Sequence, residues 1–178
     1  MVILITGASH TGKTLLAQRF VEKYRCLCLS MDLLKMGLIR SGNTALTPED
    51  DRELERYLWP IVREMIKTAI ENGQNLVVEG GYIPPHWEKE LDDRYLREIR
   101  YYCLVMSRRY ILGHVSDIRR YAEAAERRGD DSWCTVDFLI EDNARYEELC
   151  RQCGYSPTLI DETYQIELEQ LEKGSDGQ

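Results

Sequence analysis

The feature that most constrains this chain is a glycine-rich segment near its first residue. Residues 7–14 read Gly-Ala-Ser-His-Thr-Gly-Lys-Thr, which matches the G-x-x-x-x-G-K-[S/T] pattern of a phosphate-binding loop. A continuous apolar stretch, residues 2–6, precedes the loop, as a strand buried on both faces requires. Apolar residues recur at helical spacing after it, at Leu16, Ala17, Phe20, Val21 and Tyr24. Strand, glycine loop and helix therefore follow in the order that phosphate binding demands.

The loop predicts a nucleotide site with defined roles. Glycines let the backbone turn tightly, so that its N–H groups and the positive end of the following helix point at one place. Lys13 is predicted to reach the outer phosphates as a catalytic residue, and Thr14 to place its hydroxyl on a magnesium ion. A glycine turn before an ordinary helix would need neither residue. The predicted nucleotide-binding set is Gly7, Ala8, Ser9, His10, Thr11, Gly12, Lys13, Thr14 and Leu15.

Composition limits the classes of protein that remain. The 178 residues fit one domain, predicted over 1–173, with a disordered tail over 174–178. The net charge of -8 argues against a nucleic-acid partner, which needs a basic surface. No apolar run approaches the ~20 residues that cross a bilayer, so we expect no membrane contact and a cytoplasmic protein. The six cysteines are expected to be reduced, buried thiols, because most lie in apolar segments and the sequence shows no secretion signal. Cys150-x-x-Cys153 has no second pair at zinc-site spacing, so a structural metal is not expected.

The remaining pattern predicts an α/β fold. Short apolar runs predict four more strands, and helical periodicity lies between them, so we expect a five-stranded parallel sheet with helices on both faces. In the long third helix Thr47 is the predicted N-cap and Pro60 is expected to cause a kink. The predicted strands are 26–30, 75–81, 98–106 and 158–161, of which the first is expected to be buried. The predicted helices are 33–39, 47–71, 84–91, 107–128, 135–153 and 163–172.

Two acidic residues follow predicted strands at the edge where parallel sheets bind ligands. Asp32 follows the second strand and Glu79 ends the third. Asp32 is a candidate for orienting or deprotonating an acceptor hydroxyl, and Glu79 for holding magnesium through water. Either carboxylate could instead cap the helix after it. The predicted acceptor site comprises Asp32, Lys35, Arg40, Glu79 and Tyr82.

Arginines are concentrated in the predicted helix over 107–128. They form the pairs Arg108-Arg109, Arg119-Arg120 and Arg127-Arg128. Such pairs suit a flap over 108–145 that closes on the phosphates and excludes water. The alternative is a solvated helix face with ion pairs to Asp117, Glu123 or Glu126. The leading candidates for phosphate contact are Arg119, Arg120 and Arg128, and Arg108 and Arg145 are secondary candidates.

The order of these motifs resembles the adenylate kinase-like branch of the P-loop kinases, to which metabolite kinases and zeta-toxin-like kinases are related. The resemblance rests on the loop, on residues 20–24 followed by 29–35, on the Arg119-Arg120 pair at the lid entrance, and on residues 160–163 beside the adenine. It implies a three-layer P-loop fold with a short helical lid. It also implies transfer of the γ-phosphate of ATP, with Mg2+, to a small molecule. The preference for ATP over GTP follows from the resemblance alone.

The chain differs from that family in the segments that bind the phosphate acceptor. Adenylate kinases have a Gly-Phe-Pro-Arg segment after the third strand, whereas residues 81–84 here read Gly-Tyr-Ile-Pro, and Lys35 stands in place of another phosphate-binding arginine. AMP is therefore not the expected acceptor, and nucleosides, nucleotides, sugar derivatives and other metabolites stay open.

Two further classes of protein stay open as well. One is a regulatory NTPase that acts as a switch on a protein partner. Glu79-Gly80-Gly81 matches its nucleotide-sensing strand end only in part. The other is a binding module without turnover, against which the intact Lys13 and Thr14 argue. The residue types carry no signal of oligomeric state.

Overall fold

Five parallel strands form the centre of the molecule, in the order β2-β3-β1-β4-β5. The computed structural model describes residues 1–125, 133–164, 166–168 and 171. Because parallel neighbours cannot be joined by tight turns, helical segments connect the strands. The strands are β1 (Val2–Gly7), β2 (Leu27–Ser30), β3 (Leu76–Glu79), β4 (Ile99–Met106) and β5 (Thr158–Ile160).

Most of the connecting helices lie where periodic segments were predicted, but the predicted helix over 84–91 is only a 3-10 turn, and the short helix Asp93–Leu96 was not predicted. They are α1 (Lys13–Tyr24), α2 (Met31–Arg40), α3 (Asp51–Glu71), α4 (Asp93–Leu96), α5 (Arg108–Ala125) and α6 (Val136–Cys153), with a 3-10 helix over Trp87–Glu90. Within α5, His114 departs from helical geometry (φ -131°, ψ 21°), so the predicted helix is interrupted there. The predictions for the Arg127-Arg128 pair, for residues 165, 169, 170 and 172 of the closing helix and for the tail lie outside the described residues. The closing helix does not begin where it was predicted, because residues 163, 164, 166 and 167 are not helical, whereas 168 and 171 are. Among the described helices, none is both long and apolar enough to span a membrane.

Side chains on opposite faces of the sheet enter separate halves of the core. Ile3 and Ile5 of β1 pack with Phe20 of α1 on one face. Val2 and Leu4 pack with residues of α3 on the other, where Leu54, Leu58, Val62 and Ile66 are buried. Alternation along a strand buried on both faces produces this division. The three-layer α/β fold is thereby confirmed.

The register of the parallel strands brings their carboxyl ends to the same edge of the sheet. Ile5 of β1 lies opposite Glu79 of β3, and Thr6 lies opposite Cys103 of β4. β2 ends at Ser30 beside Glu79, and α2 starts at the next residue. The phosphate-binding loop, Asp32 and Glu79 therefore meet at this edge, as the strand ends predicted.

Two further local predictions were wrong. β2 is the edge strand next to β3, so Leu27 is 71% exposed and the strand is not buried. α3 begins at Asp51 rather than after a Thr47 cap. The Asp50 carboxylate accepts hydrogen bonds from the Thr47 backbone N–H (2.7 Å) and hydroxyl (2.9 Å), and this turn replaces the first predicted helical turn.

Candidate active site

The loop after β1 has the backbone geometry of an anion cradle. Gly7 has φ +133°, and a Cβ there would lie 2.1 Å from the Leu104 carbonyl oxygen, so only glycine fits. Gly12 caps α1 with φ +79°, and His10 also has a positive φ of 65°. The Thr11 hydroxyl donates to the Ala8 carbonyl (2.7 Å) and closes the loop from within. The backbone is thus held in the curled form that directs N–H groups inward.

Lys13 and Thr14 lie where the motif predicts cation and metal contacts. The Lys13 ammonium donates to the carbonyls of Gly7 (3.1 Å) and Ala8 (2.8 Å), so it lies across the loop. The Thr14 hydroxyl donates to Glu79 Oε2 at 3.3 Å, and Glu79 is only 3% exposed.

The donor set at this position suits magnesium. A hydroxyl and a carboxylate are hard oxygen donors, and Mg2+ usually takes one or two protein oxygens with phosphates and waters. In the described part of the chain no group of three potential metal ligands occurs. Thr14 and Glu79 therefore fit a magnesium ion that shares its coordination with a nucleotide.

A carboxylate from α6 contacts the loop, which the sequence did not predict. The Ser9 backbone N–H donates to Asp142 Oδ2 at 2.7 Å, and Asp142 is 8% exposed. The Arg145 guanidinium, which was a secondary candidate, donates to Asp142 Oδ1 at 2.7 Å. Burial works to lower the pKa of Arg145, but Asp142 and Tyr146 together more than offset it, so the pKa is raised. Asp142 thus connects Arg145 to the phosphate-binding loop.

The predicted flap arginines have different surroundings. Arg119 donates to the Cys134 carbonyl (3.1 Å), and Cys134 Sγ lies 3.7 Å from Nδ1 of His10 in the loop. Arg120 instead pairs with Asp117 at 3.0 Å on the exposed face of α5. Arg128 lies outside the described residues. Arg119 is therefore the member of its pair that approaches the loop.

The other end of α5 is tied to the segment after β5. Arg109 pairs with Asp161 (2.6 Å) and Glu162 (3.1 Å), the residues expected beside the adenine. The Tyr164 hydroxyl donates to the Thr11 carbonyl at 3.1 Å. Burial raises the pKa of Tyr164 to about 12, so it stays a hydrogen-bond donor at neutral pH.

Three of the predicted acceptor residues form one network. The Lys35 ammonium lies 2.9 Å from Asp32 and donates to the Tyr82 hydroxyl (3.0 Å), which donates to Asp51 (3.0 Å). Burial works to lower the pKa of Lys35, but the bonds to Tyr82 and Asp32 raise it overall. Arg40 lies in the last turn of α2, is exposed, and contacts no ion-pair partner among the described residues.

A cavity of about 60 Å³ lies between α3, the segment after β3, and α6. Its wall includes Thr6, Glu55, Gly81, Tyr101, Arg145 and Tyr146. Sequence reasoning missed Thr6 and Glu55, although a polar residue closing an apolar strand and an acid next to buried Leu54 were visible signals. Because Arg145 also bonds Asp142, the cavity opens beside the phosphate-binding loop.

Comparison with known proteins finds similarity in structure only. No protein-family model matches the sequence, and no curated protein matches it. Deoxyadenosine kinase from M. mycoides superposes with a TM-score of 0.56 at 15% identity, over 99% of this chain and 98% of that one. Shikimate kinase from Bacteroides thetaiotaomicron gives 0.52 at 18% identity, over 99% and 95%. A gluconokinase from Sinorhizobium meliloti gives 0.52 at 13% identity, over 99% and 94%.

These neighbours define the class of fold. Each of the three is named as a kinase of a small molecule, and each is covered over nearly its whole length. The chain therefore adopts, from its first strand to its last, the P-loop fold that these small-molecule kinases share. At such low identities the likeness establishes the fold, and what the chain does must be argued from its own site.

Proposed function

We propose that the protein is an ATP- and magnesium-dependent phosphotransferase that moves the γ-phosphate of ATP to a small-molecule acceptor. One observation carries the proposal: a complete phosphate-binding loop lies beside a separate cavity, and the Ser9–Asp142–Arg145 contacts join the two. A transfer enzyme needs two such adjacent sites, because donor and acceptor must meet in line.

The residues of the loop would bind and orient the nucleotide. Backbone N–H groups of residues 9–13 and the N-terminus of α1 would hold the phosphates, and Lys13 would leave its carbonyl partners for their outer oxygens. Thr14 and Glu79 would hold magnesium, which neutralises charge on the phosphates when it is bound. Arg119 would approach from α5 as the flap closes.

The transfer itself exchanges one bond for another. The acceptor hydroxyl oxygen forms a bond to the γ-phosphorus, and the bond from that phosphorus to the bridging oxygen breaks, leaving its electron pair on ADP. The hydroxyl proton passes to a carboxylate. Asp32 is our candidate, because it lies at the sheet edge beside the loop and is half exposed even while paired with Lys35. Asp32 is not part of the cavity wall, so this role requires the reacting hydroxyl to extend out of the cavity toward the loop.

A nucleotide-dependent switch is the second candidate. The partial match of Glu79-Gly80-Gly81 to a sensing strand end favours it. The cavity favours transfer, because a switch that acts on a protein partner has no need of a second small-molecule site.

The test measures ADP release from Mg–ATP with and without pooled acceptors, grouped as nucleosides, nucleoside monophosphates, sugars and amino alcohols, and phosphorylated metabolites. We expect one pool to stimulate release in the wild type, no stimulation in Lys13→Ala, and normal stimulation in Lys23→Ala, a control at the other end of α1. Tight nucleotide binding with slow release that no pool stimulates would replace transfer with the switch.

A further inference from the structure

Two polar groups in the cavity beside the loop form no hydrogen bond or ion pair with the part of the chain that the structure describes. Thr6 is 1% exposed, and its hydroxyl has no hydrogen-bond partner in the described structure. Glu55 projects from α3 into the same wall, and within the described ranges it forms no ion pair or hydrogen bond. Buried hydroxyls and half-buried carboxylates are normally satisfied, so both groups indicate a ligand.

Glu55 leaves a negative charge in this wall. Its burial raises the pKa of the carboxyl group, and Arg145 and Arg56 offset this only at a distance. A cation placed against the carboxylate would relieve the cost of that burial.

The arginine of the cavity wall is already neutralised. Arg145 is bonded to Asp142 at 2.7 Å. Arg56 is exposed on α3, is not part of the wall, and acts on Glu55 only through space. The Glu55 carboxylate is therefore not balanced by a free cation in the wall. This negative charge disfavours an acceptor that carries a carboxylate or a phosphate.

Aromatic rings also line the cavity. Tyr101 and Tyr155 both line the cavity, with ring centroids 4.7 Å apart and planes tilted by 41°. Aromatic faces next to a carboxylate attract ammonium groups, since the ring quadrupole adds to the ion pair.

We propose that the acceptor is a small hydroxylated compound that carries an ammonium group and no phosphate, an amino alcohol or amino sugar, with Glu55 binding its ammonium. The inference rests on the proposed function for the phosphoryl transfer, but the binding step does not require turnover. Thr6 accepts from or donates to an acceptor hydroxyl, and the end of the cavity at Arg145 faces the loop.

Binding of matched probes tests the ammonium preference directly. Each set of probes contains an amine, a neutral compound and an acid with the same number of carbons. The three-carbon set is serinol, glycerol and glycerate, and the six-carbon set is glucosamine, glucose and gluconate. Titrations of the full chain with Mg–ADP present would follow each probe by calorimetry. We expect the amine of at least one set to bind at least tenfold more tightly than its neutral and anionic analogues.

A substitution assigns that preference to Glu55. Glu55→Gln should abolish the amine preference, whereas Glu53→Gln, an exposed acid on the same helix, should keep it. The proposal would be overturned if the amine, neutral and acidic probes bind equally, if an acidic probe binds more tightly, or if no probe binds. It would also be overturned if Glu55→Gln keeps the preference for amines.

Turnover separates this inference from the proposed function. If amines bind through Glu55 and ADP release stays unstimulated, the ligand class holds and the transfer reaction fails. If glycerate or gluconate stimulates ADP release, the transfer holds and the ammonium preference fails.

Discussion

The backbone N–H of Ser9 donates a 2.7 Å hydrogen bond to the Asp142 carboxylate, across 133 residues of sequence. Ser9 lies in the loop whose N–H groups are suited to phosphate oxygens, so the carboxylate holds the position of an anion. A bound nucleotide and the Asp142 carboxylate would repel each other and compete for one donor. We therefore expect nucleotide binding to break the Ser9–Asp142 hydrogen bond, while the other Asp142 oxygen keeps its bond to Arg145 on the same helix.

Replacing Asp142 tests that competition. We expect Asp142→Asn to bind Mg–ADP about fivefold more tightly, on the order of 1 kcal/mol, because the amide is a weaker acceptor and carries no charge. Arg145 has a side chain that is 59% exposed, so solvent compensates for its lost partner. Calorimetric titration measures the affinity, with the exposed Glu141→Gln as control. Weaker binding in Asp142→Asn would show that the carboxylate supports the loop instead of competing with the nucleotide.

The two arginines of the Arg119-Arg120 pair should differ in their effect on turnover. Arg119 lies beside Cys134, which contacts His10 of the loop, whereas Arg120 is paired with Asp117 on the surface. We expect Arg119→Met to lower kcat about a hundredfold, as loss of one charge-stabilising donor does. Arg120→Met should change kcat by less than about threefold.

Steady-state ADP release with the stimulating acceptor checks both arginine variants. A larger effect of Arg120→Met would mean that α5 turns its exposed face toward the nucleotide when the flap closes.

The positions of the strands along the chain could be predicted from sequence because they depend on local signals. Apolar runs bounded by turns located all five strands, but the continuous apolar run in Val2–Gly7 did not show how its side chains divide between the two halves of the core. The burial of β2 could not be predicted in the same way. A strand's exposure depends on its position in the sheet, and the order β2-β3-β1-β4-β5 is a property of the whole fold.

The residues of the candidate site also divide into those that local signals predict and those that depend on the whole fold. Lys13, Thr14 and Glu79 lie where the motif and a strand end predict them, since both signals are local. Asp142 and Glu55 contact the loop and cavity only because α6 and α3 pass that edge of the sheet. An Asp and an Arg three residues apart on a helix are common on surfaces, so the spacing of Asp142 and Arg145 carried no signal.

Glycine at position 7 should be essential for folding of the loop. A methyl group there would lie 2.1 Å from the Leu104 carbonyl oxygen, and the backbone φ is +133°. We expect Gly7→Ala to lower the free energy of unfolding by about 3 kcal/mol. Gly37→Ala in α2 has open space within 4 Å and should raise it by roughly 0.5–1 kcal/mol. Urea denaturation of both variants measures the difference, and equal stabilities would contradict the close contact at Leu104.

Tyr146 should make the protein less stable at alkaline pH. Burial raises the pKa of Tyr146 to about 12, and Asp142 adds to this shift while Arg145 opposes it. An unfolded tyrosine ionises near pH 10, so its stabilising contribution is complete below about pH 10 and is lost as the pH rises toward 12. Tyr146→Phe has no phenol to ionise, and its stability should fall less steeply over that window.

Urea denaturation at pH 9, 10 and 11 would measure the effect. The loss of stability from pH 9 to 11 should be smaller in Tyr146→Phe than in the wild type by about 1 kcal/mol. Tyr121→Phe is the matched control, because that ring is 63% exposed, and it should reproduce the wild-type pH dependence. If both variants lose stability as the wild type does, then Tyr146 is open to water in solution, and the cavity wall between α6 and Gly81 is looser than its 3.4 Å contact indicates.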